Sequence, residues 1–300
     1  MLLHGIGSSS ANWLAQLEAA ALNPAFCLLA WDAPGYGGSD ALSIDTPTAA
    51  DYAQQLWAWL EAMDALPAQD PKSGAASDAA SATAASRLTL GGHSLGCLMA
   101  ASAAVHQPHR VQRLILLSPA QGYARAQAAV RDKKLQERLD SLARLGPAGM
   151  AQARGAAMLS TRASAGQLAF VQQAMAQVNP AGYAQAARML AGGDLLSDLR
   201  HFAVQAAPSA CPVWVASGSA DTITPPEGCQ QVAAHIQAPY VPLGAVGHAC
   251  AVEAAADVTR LIGLAAPAAS SGMRAPTPDL SATTSATTSA TPKQRWPHET

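Results

Sequence analysis

The strongest constraint on what this chain can fold into is the segment LTLGGHSLGCLMAA at 88–101, where Gly92-x-Ser94-x-Gly96 separates an apolar run from an Ala-rich one. The apolar run reads as a strand and the Ala-rich stretch as a helix. A strand that turns into a helix within one residue needs small neighbours, because its backbone is strained and adjacent chains come close. Ser94, at the tip of the turn, is expected to stand above the sheet edge. The helix behind it aims its first N–H groups at the same spot, so negative charge developing there meets the positive end of a helix dipole.

Further apolar runs at 26–31, 87–90, 111–117, 213–216 and 240–243 predict strands, and the stretches between them are helical or longer. That alternation predicts an α/β fold with a mostly parallel central sheet flanked by helices. Met1, Leu2 and Leu3 read as the end of a buried strand that runs directly into the turn His4-Gly5-Ile6-Gly7, and the 26–31 run ends in the Gly- and Pro-rich turn DAPGYGGSD at 32–40. From 48 to about 66, Tyr52, Leu56, Trp59, Leu60 and Met63 recur at helical spacing and predict one buried helix face. Residues 67–86 carry no large apolar side chain and read as a flexible insertion. Between 121 and 207 the pattern is helical throughout, with one stripe of Leu135, Leu139, Leu142 and Leu145 and another of Phe170, Met175 and Val178. This predicts an all-helical cap set into a core formed by 1–120 and 208–264. The Ala/Pro/Ser/Thr-rich stretch 265–300, with its near-repeat SATTSATTSAT, reads as a disordered tail.

With 13% charged residues and a formal net charge of -2, the chain lacks the footprint of a nucleic-acid binder or a polybasic membrane anchor. No apolar run approaches the roughly 18 residues that cross a bilayer, and the first residues lack the basic and apolar regions of a signal peptide. The five cysteines, Cys27, Cys97, Cys211, Cys229 and Cys250, are odd in number and never fall in a CxxC pair or a zinc spacing. These observations point to free thiols, a cytoplasmic location, a small-molecule partner, and no metal or cofactor.

Serine is a poor nucleophile at neutral pH and needs a base held by an orienting group. Asp221, in the polar turn GSADTITPP, and His248, in GAVGHAC, each follow an expected strand, in the order Ser, Asp, His. Open α/β sheets place their sites beyond strand C-termini. The expected roles are Ser94 as nucleophile, His248 as general base and then acid, and Asp221 as the group that holds the imidazole. The backbone N–H groups of Leu95 and Ile6 are the expected oxyanion donors, the second from the His4-Gly5-Ile6-Gly7 turn. His4 is expected to hold that turn through a hydrogen bond and His93 to point away from the pocket. His106, His109, His201 and His235 are expected at the surface.

Together the HG turn, the 32–40 loop, the GHSLG elbow and the late Asp and His resemble the α/β-hydrolase superfamily over about 1–264. The resemblance implies that fold, a helical cap and cleavage of an ester, lactone or related acyl bond through an acyl-enzyme. The stretches DTITPP at 221–226 and GHACAVE at 247–253 are similar to the D-x-x-T-P-P and H-x-x-x-x-E stretches of 3-oxoadipate enol-lactonases. That likeness implies a carboxylate-bearing lactone and a cation in the cap, for which Arg125, Arg154 and Arg188 are available, although a surface role is the plainer reading of each. Hydrolases of carbon–carbon bonds in ring-cleavage products rank second, since some carry tryptophan where this chain has Ala249. The same catalytic residues also suit an acyltransferase, and the same fold a non-catalytic protein that binds a small ligand under its cap. Relatives usually carry a β-hairpin before the HG strand, and those hairpin strands are missing from this sequence. An upstream extension that restores them is expected to improve soluble expression.

Overall fold

The computed structural model describes residues 1–23, 26–64, 87–205 and 211–263, so the expected insertion at 67–86 and the tail at 265–300 lie outside the described residues. Six strands form one sheet: β1 (Leu2–Leu3), β2 (Ala30–Trp31), β3 (Leu88–His93), β4 (Val111–Leu117), β5 (Val213–Ser217) and β6 (Tyr240–Pro242). Their order is β2-β1-β3-β4-β5-β6 and every pairing is parallel. The 26–31 run contributes only Ala30 and Trp31, because the neighbouring β1 offers only Leu2 and Leu3 as partners.

The strand order reverses direction between β1 and β3. At such a switch point the two following loops turn to opposite faces and leave a crevice beyond the strand ends. The loops that meet there are the His4-Gly5-Ile6-Gly7 turn after β1 and the Ser94 elbow after β3.

Both faces of the sheet are covered, which is why β4 runs apolar without alternation from Leu114 to Leu117, after the polar Gln112 and Arg113 at its start. Its side chains still divide with period two, Leu114 and Leu116 into one core and Ile115 and Leu117 into the other. The helices are α1 (Leu14–Ala21), α2 (Ala49–Asp64), α3 (Leu95–His106), α4 (Ala128–Arg154), α5 (Ala165–Ala176), α6 (Pro180–Gly192), α7 (Leu195–Gln205), α8 (Pro226–His235), α9 (Cys250–Glu253) and α10 (Ala255–Leu261). α3 is buried from Leu95 to Ala104, and its Ala, Gly and Ser residues let β3, α2 and α7 approach closely. On α2 the expected face holds for Tyr52, Leu56 and Leu60, but the buried tryptophan is Trp57 rather than Trp59, which is half-buried. The small side chains of α3 leave room for the Trp57 indole, whose N–H donates to the Ala103 carbonyl at 3.0 Å, while the Arg110 guanidinium covers the ring at 4.7 Å.

The regular elements described between β4 and β5 are all helices, in line with the pattern over 121–207. α4 is bent at Gly146, whose φ of 63° breaks the helix just before Pro147. α7 packs on α3, with Leu199 and Phe202 in the main core.

Candidate active site

The elbow is as strained as its sequence predicts. Ser94 has φ 52° and ψ −114°, a conformation disfavoured for a residue with a Cβ. It is held from both sides: its N–H donates to the Leu117 carbonyl at 2.9 Å, and its carbonyl accepts from the N–H groups of Cys97 (3.1 Å) and Ala120 (3.2 Å). The flanking glycines are required by space. A Cβ on Gly92 would stand 2.5 Å from the Gly96 carbonyl oxygen, and one on Gly96 would run into the Leu3 carbonyl oxygen and lie 2.8 Å from that of His4.

Asp221 and His248 meet at the ends of β5 and β6. Their loops are tied together, with Ser219 N–H donating to Gly244 at 2.8 Å and Ala220 N–H to Val246 at 3.1 Å. Both side chains are buried, and His248 Nδ1 lies 2.9 Å from Asp221 Oδ2. The second oxygen, Oδ1, accepts from the N–H groups of Ile223 and Thr224, both at 2.9 Å. Burial works to raise the Asp221 carboxyl, but the hydrogen bond and charge of His248, with the Thr224 N–H, hold it at about 2. An ionised carboxylate only accepts, so Nδ1 carries the proton that faces it, and in the neutral imidazole the acceptor is Nε2. Thr224 Oγ1 was not singled out from the sequence, yet it lies 2.9 Å from Asp221 Oδ2, 3.1 Å from His248 Nδ1 and 3.1 Å from the Ser118 carbonyl. Its signal was the Asp-x-x-Thr spacing, which lets one turn bond the aspartate through both backbone and side chain.

Glu253 explains the H-x-x-x-x-E spacing. Its carboxylate accepts from Ser160 N–H (2.7 and 3.1 Å) and from Gly247 N–H (3.2 and 3.3 Å). With Ala249 N–H donating to Met158 at 2.7 Å, the histidine loop is latched to the segment that joins α4 and α5.

The HG turn is held by the 32–40 loop. His4 Nε2 accepts from Ala33 N–H at 3.2 Å, so Nδ1 is the protonated nitrogen and donates to Gly5 at 2.8 Å. Burial keeps this imidazole below its ordinary pKa. The hydroxyl of Tyr36 donates to the Ile6 carbonyl at 2.9 Å. The Ile6 N–H donates to no described residue, and the Leu95 N–H, first in its helix, has no acceptor within that helix. Both residues line the cavity that also holds Ser94 and His248.

Residues 1–243 match a family model described as serine aminopeptidase, S33. The chain belongs to this family of α/β-hydrolases. Among solved structures, an esterase from Thermogutta terrifontis has 22% identity and a TM-score of 0.70, covering 87% of this chain and 86% of its own. An enol-lactonase from Burkholderia xenovorans LB400 has 19% identity and a TM-score of 0.68, with 87% and 88% covered. A bromoperoxidase from Bacillus anthracis has 14% identity and a TM-score of 0.69, again with 87% and 88% covered. Likeness at these identities carries the fold. No curated protein matches the chain.

His93 of the hydrolase departs from the expected orientation. Instead of pointing away from the pocket, its ring lines the cavity and packs beneath His248, centroids 4.9 Å apart, with Nε2 donating to the His248 carbonyl at 2.8 Å. The reason is the elbow itself, which turns the residue before the serine toward the neighbouring histidine loop. Nδ1 is buried without a hydrogen-bond partner. Burial, followed by the neighbouring His248, pushes the His93 pKa down to about 3. Unfolding releases it to its ordinary value of about 6.5. The unfolded chain therefore binds the proton first, and stability is lost as pH falls from about 6.5 toward 3. We expect the melting temperature to fall between pH 7 and pH 5, with a shallower slope in His93→Gln. Equal slopes in the two proteins would assign the loss to other groups.

His106, His109, His201 and His235 are exposed, as expected. The five cysteines are unpaired. Among the described residues no group of His, Cys, Asp and Glu side chains could hold a metal, and no helix is long and apolar enough to cross a membrane.

The cavity above Ser94 measures about 280 Å³. Its walls are largely apolar, with Met150, Met158, Phe170 and Met175 from the helical segment. No Asp or Glu among the described residues lines it, whereas two arginines do, Arg138 and Arg154. Of the other arginines considered from sequence, Arg125 is paired with Asp194 at 2.8 Å and Arg188 donates to the Asp45 carbonyl at 3.2 Å. Arg138 was not singled out. It lies in the charged run RDKKLQERLD at 131–140, and its spacing of three from Leu135 and four from Leu142 places it beside the apolar stripe of α4.

Proposed function

We propose that the enzyme cleaves a carboxylic ester, lactone or related acyl bond of a small molecule, with Ser94 as nucleophile. The observation that carries this reading is a buried carboxylate 2.9 Å from His248 Nδ1, with His248 and a strained serine lining one cavity. In the first step His248 Nε2 takes the Ser94 hydroxyl proton as Oγ attacks the carbonyl carbon. The tetrahedral oxyanion draws on the N–H groups of Leu95 and Ile6. As it collapses, His248 gives its proton to the leaving oxygen and an acyl-enzyme remains. Water, deprotonated by His248, then releases the acid and restores the serine. Asp221 keeps the proton on Nδ1 and balances the imidazolium charge.

An aminopeptidase has to hold the ammonium of a peptide N-terminus, for which a carboxylate is the natural partner. Among the described residues this wall carries arginine and no acid, which opposes that substrate and favours a neutral or anionic one. Five unpaired cysteines fit a reducing compartment such as the cytoplasm. The test is labelling with a fluorophosphonate probe: wild type is expected to label and Ser94→Ala is not. Equal labelling of both would assign the nucleophile elsewhere.

A further inference from the structure

We infer that Arg138 anchors a carboxylate on the substrate, so the preferred substrates are small esters or lactones that carry a second, ionised acid group, such as monoesters of dicarboxylic acids. This rests on the esterase reading above and narrows it. Arg138 projects from α4 into the cavity that holds Ser94 and His248. It is partly buried and has no carboxylate within ion-pair distance among the described residues, whereas Arg125 is paired with Asp194. Its polar neighbours are the phenols of Tyr123 and Tyr183, which line the same wall.

A guanidinium turned into a mostly apolar cavity gives up hydration that two neutral phenols only partly replace. Its planar fork matches a carboxylate through two parallel N–H donors, and each phenol can add an O–H donor to the same oxygens. The cavity thus has the composition of an anion site, with cationic and hydroxyl donors on an apolar wall and no described carboxylate to compete. Arg154 lies on the same cavity and makes the local potential more positive, but the paired phenols place the anchor at Arg138.

Two measurements test this. The first compares kcat/KM on p-nitrophenyl butyrate and on the mono-p-nitrophenyl ester of glutarate, which differ by one carboxylate. Wild type is expected to favour the glutarate ester. Arg138→Gln is expected to lose about 10- to 100-fold on that ester, mostly through KM, the range of a hydrogen bond to a charged group. The ratio of the two esters is the readout, because the butyrate carries no carboxylate for Arg138 to hold, and Arg138→Lys is expected to recover part of the loss. No preference in wild type, an equal fall on both esters, or a larger loss in Arg154→Gln than in Arg138→Gln would overturn the assignment. The second is the thermal shift produced by glutarate itself, which needs no turnover. Stabilisation of wild type that disappears in Arg138→Gln supports the anchor even if neither ester is cleaved, in which case only the esterase reading fails. No shift in wild type overturns the anchor.

Discussion

Replacing His248 with alanine is expected to lower kcat/KM on a p-nitrophenyl ester by about four to six orders of magnitude, because the serine proton then has no acceptor within the site. Asp221→Asn is expected to cost about 10⁴-fold. The asparagine preserves shape, but its amide N–H₂ can face Nδ1 and move the imidazole proton to Nε2, where it blocks proton abstraction. In the proposed mechanism the three side chains act as one unit, so the double variant Ser94→Ala/His248→Ala should be no slower than the worse single variant. Initial rates of all four proteins on one ester decide this. Additive losses would mean that His248 does not serve Ser94.

The second large effect is structural. Gly96→Ala is expected to lower both stability and activity, although in an ordinary helix the same exchange stabilises by about 1 kcal/mol. The new methyl group meets backbone, not a side chain that can rotate aside, because the carbonyls of Leu3 and His4 face Gly96. Relief requires β1 and α3 to separate, and overpacking of this kind costs about 1–3 kcal/mol or more. Set against the propensity gain, the net loss corresponds to a melting temperature lower by several degrees, at about 2–4 °C per kcal/mol. The same movement draws the Ile6 turn away from Leu95, so a loss of about 10²- to 10³-fold in kcat is expected, the cost of removing one of the two proposed oxyanion donors. Calorimetry and ester kinetics on the single variant read both. An unchanged melting temperature would show that the β1–α3 contact is loose.

The two effects divide the molecule as its sequence does. The elbow glycines, the run of β4 and the order of Ser94, Asp221 and His248 are local or topological signals. A turn without room for a Cβ needs glycine, a strand segment covered on both faces, such as 114–117, must be apolar at every position, and loops beyond parallel strands converge at one edge. These were legible in the chain, as was the helical character of the stretch between β4 and β5.

Side-chain direction was not legible in the same way. His93 could be placed beside Ser94 but not beneath His248, since its orientation depends on a loop 155 residues away. Trp57 and Trp59 both fit the helical pattern of α2, and only the small residues of α3 chose Trp57. Thr224 and Glu253 were visible as spacings, but their bonds to Asp221, His248 and Ser160 depend on loops meeting in space. Arg138 shows the same limit most clearly. A charged residue on a helix can spread its stem over apolar surface or enter a cavity, and the choice is made by what packs opposite. The sequence by itself determined the parallel α/β framework, the strained serine turn and the chain order of the candidate triad, because each follows from short-range sterics and strand topology. Only the tertiary structure decided which charges face the cavity, because that depends on contacts between segments far apart in the chain.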